Sequence, residues 1–183
     1  MDKILITGTG RCGTTFLIKL FTFLEFDTGF DKETYQSRIN SQCNSGMERT
    51  YKENHYILKN PLFILNMETI MKDKNINVKK VIIPVRDYKL SARSRVKHKN
   101  KPGGLWNSKD EKSQIIFYNE IISNYVYFMT KYDINTIFID FDKMINDKNY
   151  LFDKLKNILD EKNIGFDFFS KIYDEVSLTS KPK

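Results

Sequence analysis

Short apolar runs, separated by stretches with helical spacing, set the rhythm of this chain. Ile4-Leu5-Ile6, His55-Tyr56-Ile57-Leu58, Val81-Ile82-Ile83-Pro84-Val85 and Thr136-Ile137-Phe138-Ile139-Asp140-Phe141 have strand length and lack strict alternation. A strand covered on one face alternates apolar and polar residues, whereas one covered on both faces reads as a continuous apolar run. The four runs therefore predict a parallel sheet sandwiched between helices. The helices follow in the gaps. Phe16 to Phe21 is the first, and Pro61 to Lys74 opens with proline in its first turn, where the missing N–H costs nothing. Asp87 to Lys99 follows the third strand, and Asn149 to Leu159 carries Leu151, Leu155 and Ile158 on one face. The longest, Glu111 to Lys131, places Ile115, Tyr118, Ile122, Tyr125 and Met129 at helical spacing. Strands alternating with helices predict an α/β, doubly wound fold of about four to five parallel strands, with ligands at the strands' carboxyl ends. Residues 1–183 are read as one domain.

Two segments have no such period. Asp27 to Ser45 is polar with scattered glycine, and Asn100-Lys101-Pro102-Gly103-Gly104-Leu105-Trp106-Asn107 holds the only tryptophan. Beside a nucleotide-binding fold, loops of this length serve as substrate lids or as plain surface excursions.

Composition narrows the setting more than the chemistry. A chain that is 40% hydrophobic and 14% aromatic can fold around its own core. Cys12 and Cys43 are the only cysteines, which excludes a disulfide framework or a cysteine-rich metal cluster and suits a reducing, cytoplasmic compartment. With a strand beginning beside Met1 and no apolar run near 18 residues, neither a signal peptide nor an integral membrane segment is expected. The net charge of +7 favours an anionic ligand or acceptor, although lysines spread over solvated faces give the same total. No nucleic-acid-binding module is recognisable, so nucleic acid is not an expected partner.

The chemistry concentrates in Gly8-Thr9-Gly10-Arg11-Cys12-Gly13-Thr14-Thr15, between the first strand and the first helix. A glycine loop joining strand to helix aims backbone N–H groups and a helix amino end at a phosphate. It is a P-loop-type arrangement, but the lysine position of GxxxxGK[ST] holds Thr14, and the charge stands at Arg11 instead. A second element follows the third strand. Arg86 ends the strand and Ser94 lies eight residues on, where a guanidinium and a hydroxyl can converge on another phosphate. Read without the loop, the same stretch is a helix start capped by Asp87 with basic residues in solvent. Cys12 stands at a helix start, an environment that lowers a thiol's pKa, although a small side chain filling a tight loop is the plainer reading. Trp106 and Tyr88 can stack on a base or sugar, or simply anchor a loop.

Together these elements resemble the sulfotransferases that use 3′-phosphoadenosine 5′-phosphosulfate (PAPS). Arg11-Cys12-Gly13-Thr14-Thr15 is similar to that family's [KR]xGTT loop, and Arg86 with Ser94 matches its arginine and serine pair. Lys59-Asn60-Pro61 looks like the lysine-bearing end of its second strand, and Ile139 to Met144 like its late strand and acidic turn. The Gly103-Gly104-Leu105-Trp106 stretch has the look of some microbial and viral members. The resemblance implies donor contacts from Gly10, Arg11, Cys12, Gly13, Thr14 and Thr15 to the 5′-phosphosulfate, and from Arg86 and Ser94 to the 3′-phosphate. It also implies no required metal, adenosine 3′,5′-bisphosphate as the product, and a hydroxyl or amine acceptor such as an anionic glycan. Arg11 and Lys59 would stabilise the transferring group.

The base that deprotonates the acceptor is not given by the resemblance. The histidine two positions after the strand lysine is replaced by Pro61, and the glutamate six residues past the loop glycine by Lys19. Glu48 is the leading candidate, lying in the irregular segment where an acceptor would bind, with pairing to Arg49 or a lysine as its structural alternative. His55, Asp27 and Asp31 are the others. Two further readings stay open: a P-loop nucleotide or small-molecule kinase, and a non-catalytic nucleotide-binding protein on a degenerate sulfotransferase scaffold.

Overall fold

A computed structural model describes residues 1–35, 46–98 and 103–180. Its four strands are β1 (Asp2–Ile6), β2 (Ile57–Lys59), β3 (Asn77–Val85) and β4 (Thr136–Asp140), paired in parallel in the order β2-β1-β3-β4. Ile6 lies level with Lys59 on one side and Ile82 on the other, so the segment after β1 leaves the sheet between two neighbouring strand ends. That is the position where an open α/β sheet forms its ligand crevice.

The continuous apolar runs are explained by two cores. Ile4, Ile6, Ile82 and Ile139 face α1 (Thr14–Phe23), α6 (Lys148–Leu159) and α7 (Phe166–Ser180). Their strand neighbours Leu5, Val81 and Ile83 point the other way, toward α2 (Met67–Lys72) and α4 (Glu111–Lys131). Successive side chains alternate faces, so a strand with a core on each side is apolar at every position. Lys3 is the polar exception inside β1. Its ammonium donates to the carbonyls of Glu53 and His55, at 2.5 and 2.7 Å.

Element boundaries differ from the sequence expectation in physically readable ways. β2 begins at Ile57, because His55 and Tyr56 are held outside the strand by Asp27, whose carboxylate accepts from both. The stretch after Pro61 opens as a 3-10 turn over Pro61–Asn66, capped by the Asn60 side chain, before α2 starts. β3 extends back to Asn77, its first half alternating between exposed and partly buried positions. α3 (Tyr88–His98) and α4 fall where the spacing places them, the latter opened by a capping box between Asp110 and Ser113.

Two helices go beyond the expected pattern. α5 (Phe141–Asn146) follows β4 directly, with Asp140 serving both as the strand's last residue and as the helix cap. α7 buries Phe169, Ile172, Tyr173 and Val176 along one stripe. Full burial of such side chains contributes about 1.5–3 kcal/mol each. Phe16 of α1 meets Tyr173 edge to face at 5.7 Å, so α7 fixes the helix that carries the glycine loop. The segment Asp27 to Ser45 is described only as far as Tyr35, and in the Pro/Gly loop residues 99–102 also lie outside the described residues. No helix among the described residues is long and apolar enough to cross a membrane.

Candidate functional site

The segment after Ile6 continues as sheet for one residue, Thr7 donating its N–H to the Ile82 carbonyl at 3.1 Å. Tyr125 of α4 donates to the Thr7 hydroxyl at 2.7 Å, fixing the chain where it turns away. The turn itself needs positive φ at Gly10 (73°), Arg11 (58°) and Gly13 (90°). Gly13 is the cap of α1 and has no side chain to close the helix end. The bond from Leu17 N–H to the Gly13 carbonyl is the first of the helix, at 3.2 Å. The amides of Thr14, Thr15 and Phe16 precede it and have no intrahelical partner. An anion is the natural complement to such amides and to the helix dipole behind them.

Two neighbouring elements crowd this loop, and its left-handed φ at Gly10 and Gly13 favours glycine at both. A Cβ at Gly10 would lie 2.2 Å from Nη2 of Arg95, and one at Gly13 would lie 2.3 Å from the Met144 methyl. Met144 belongs to α5, so the short helix after β4 is one wall of the loop. The other wall is Arg95, which is 7% exposed. Its guanidinium donates to the Thr9 carbonyl at 3.1 Å, the Gly104 carbonyl at 2.5 Å and the Tyr118 hydroxyl at 2.6 Å. Basic residues of α3 in solvent are therefore not what is found at position 95. A hint in sequence was the small pair Ser91 and Ala92, which are buried on the same helix.

Arg86 and Ser94 are brought together, with Arg11 between them. Arg86 donates to the Arg11 carbonyl at 3.1 Å and lies over the Phe141 ring, 4.5 Å from its centre. The Arg11 side chain donates to Ser94 Oγ at 3.1 Å and meets Nε2 of His98, one turn further along α3, at 2.9 Å. His98 was absent from the sequence expectation, although its spacing of four from Ser94 puts both on one helical face. Asp87 caps α3 as expected, accepting from Leu90 N–H.

The electrostatics of this cluster are one-sided. Arg11, Arg86 and Arg95 converge, yet the arginines that form ion pairs among the described residues are Arg49 and Arg93. Burial, then the charges of Arg95 and Arg86, hold Arg11 below the ordinary arginine value. The nearby acids do not offset this charge. Burial pushes the Tyr118 phenol up, and it pushes the Cys12 thiol up as well. Cys12 is fully buried, and desolvation outweighs its hydrogen bonds to Thr9 and Gly10, which agrees with a small side chain packed in a tight loop rather than an activated thiol. Cys43 lies outside the described residues.

The acceptor side departs further from expectation. Lys59 ends β2 on the same sheet edge as the loop, but its side chain is completely buried. Its ammonium donates to the Gly46 carbonyl at 2.8 Å and to Glu48 Oε1 at 2.6 Å. The presumed sulfonate ligand and the leading base are thus partners of each other, while Arg49 pairs with Glu53 instead. His55 is placed at the wrong end of the sheet to serve the loop. It precedes β2, four residues or about 13 Å of extended chain from Lys59, and its Nδ1 is 2.7 Å from Asp27 Oδ1. Asp27 is committed there, and Asp31 caps a local turn at Thr34. Trp106 and Tyr88 take the anchoring role: Trp106 packs edge-on against Phe117, and Tyr88 against Tyr118.

A cleft of about 430 Å³ lies at the opposite end of α1, between its last turn and α7, with the Lys32–Glu175 ion pair in its wall. It contains none of the loop residues, so the arginine cluster is the better candidate site. Comparison of the chain with protein-family models, with curated proteins and with solved structures finds no match.

Proposed function

We propose that this protein is a sulfotransferase that takes a sulfonate from PAPS, held at the Gly8 to Thr15 loop. The observation that supports the reading most is the uncompensated charge. Arg11, Arg86 and Arg95 gather around a glycine loop at a helix amino end, and none of them has an ion-pair partner among the described residues. A ligand with two separated phosphate groups would supply the missing negative charge and the acceptors for the open amides. Thr14 in place of the Walker lysine, and the spacing of Arg86 and Ser94, favour phosphosulfate over an ordinary nucleoside triphosphate.

The residues fit that donor. Gly13, Thr14 and Thr15 would hold its 5′-phosphate through their amides, with Gly10 and Cys12 shaping the turn. Arg11 would offset charge on the phosphosulfate, and Arg86 and Ser94 would hold the 3′-phosphate. When bound, PAPS supplies an activated sulfonate. The protein's part is to orient it and to stabilise charge growing on the leaving phosphate. Glu48 is the base in this reading, which requires the Lys59–Glu48 pair to open when an acceptor arrives.

The same buried pair favours a second reading, a nucleotide-binding protein that holds the donor without transferring from it. Titration calorimetry with adenosine 3′,5′-bisphosphate, against ADP with magnesium, tests the donor site. Binding of the bisphosphate is expected. Magnesium-dependent binding of ADP alone would move the protein to the kinase reading. Transfer of labelled sulfonate from PAPS to a panel of glycan, lipid and phenol hydroxyls then separates the enzyme from the binding protein.

A further inference from the structure

We infer that His98 is a further ligand of the donor's 3′-phosphate, one that takes up a proton when the nucleotide binds. The inference rests on the proposed donor site. Its starting point is the contact between Arg11 Nη2 and His98 Nε2 at 2.9 Å. An arginine nitrogen only donates, so Nε2 must accept, and the imidazole in this contact is neutral with its proton on Nδ1. Neutral His98 and Ser94 together park the Arg11 side chain against α3.

On the Arg11 side of this contact lie Arg86 from the end of β3, Arg95 on α3 and Tyr118 from α4. Lys97 is the neighbour of His98 in sequence, at the helix end. The charged groups among these described neighbours of Arg11 are all cationic. A phosphate arriving beside Ser94 reverses the balance. The Arg11 guanidinium turns to the 5′-phosphate group held by the loop, which frees Nε2 of His98. The imidazole then binds a proton from solvent and donates it, as a charge-assisted hydrogen bond, to the 3′-phosphate beside Ser94. Because the bound state holds the extra proton, affinity rises as pH falls. The upper limit is about tenfold per pH unit, the slope for one linked proton.

The chain has two histidines, which makes the proton directly observable. Proton NMR follows the imidazole C–H signals against pH, without ligand, with adenosine 3′,5′-bisphosphate, and with adenosine 5′-monophosphate. His98→Gln assigns the signals, and His55, paired with Asp27 at the other end of β2, serves as the internal reference. The His98 midpoint is expected to move upward by about one pH unit or more with the bisphosphate, as a nearby anion requires. The His55 midpoint should not follow, and the monophosphate should leave both in place. Calorimetry adds an independent reading. The ratio of wild-type to His98→Gln affinity for the bisphosphate should grow several-fold between pH 8 and pH 6, with the ligand's own titration cancelling between the two proteins. Bisphosphate binding with an unmoved His98 midpoint, or an equal shift with the monophosphate, overturns the inference and leaves the proposed function standing. Failure of the wild-type protein to bind the bisphosphate removes both.

Discussion

A methyl group added at Gly10 would occupy the space through which Arg95 reaches the Thr9 carbonyl, and φ of 73° is itself unfavourable for alanine. Gly10→Ala is therefore expected to destabilise the fold by about 1–3 kcal/mol. At roughly 2–4 °C per kcal/mol for a chain of this size, thermal melting will register it. The arginines around the loop should separate by role. Arg86→Ala leaves the Arg11 carbonyl without its donor but removes no buried scaffold. Its main effect should be weaker binding of adenosine 3′,5′-bisphosphate, by the 1.5–3 kcal/mol or so of a charged hydrogen bond, with 5′-monophosphate binding nearly unchanged. Equal losses for both ligands would show that Arg86 does not read the 3′-phosphate. Arg95→Met, in contrast, strands three buried acceptors on two loops and α4, so stability and affinity should fall together.

At the scale of elements, the end of β2 is held by the Lys59–Glu48 pair. Lys59→Met alone leaves a carboxylate in a site with little solvent, at an expected cost of about 3–5 kcal/mol. Adding Glu48→Met should recover most of that, and chemical denaturation of the single and double variants measures the difference. The contrast illustrates what a sequence carries and what it does not. Four strands were readable because a doubly covered strand must be apolar at every position, whichever helices cover it. The loop and the Arg86–Ser94 spacing were readable because chain geometry alone brings them to one sheet edge. α7 was not read from the sequence, although Phe169, Ile172, Tyr173 and Val176 carry helical spacing. The buried state of Arg95 was not readable, because it depends on Gly104 and Tyr118 arriving from separate elements. The burial of Lys59 was not readable for the same reason, since its partners come from a stretch with no period of its own, although pairing of Glu48 with a lysine was the expected alternative. His55 was placed at the start of the second strand, and the parallel pairing of β2 with β1 puts that end away from the loop.

At the scale of the whole molecule, burial and charge pull the glycine loop's surroundings in one direction. Cys12 and Tyr118 are held neutral by burial, so neither can lend a negative charge near neutrality. For Cys12 the sign is definite. Its folded value is raised, so its contribution to stability is complete below the ordinary thiol value of 9.0 and is lost as pH rises through the folded value. Wild-type protein should therefore lose unfolding free energy relative to Cys12→Ala between pH 8 and pH 10, by no more than about 1.4 kcal/mol per pH unit, as chemical denaturation measures. A constant difference between the two proteins would show that the thiol is not desolvated in the fold. The arginines without ion-pair partners among the described residues act at neutral pH as well, since like charges crowded around one loop oppose the folded arrangement until an anion arrives. A ligand that binds the folded state alone stabilises it in proportion to the logarithm of its concentration. A cell poor in that ligand would hold more of the chain in forms open to proteases. The arginine cluster would in that way tie the protein's lifetime, and so its abundance, to the supply of the molecule it binds.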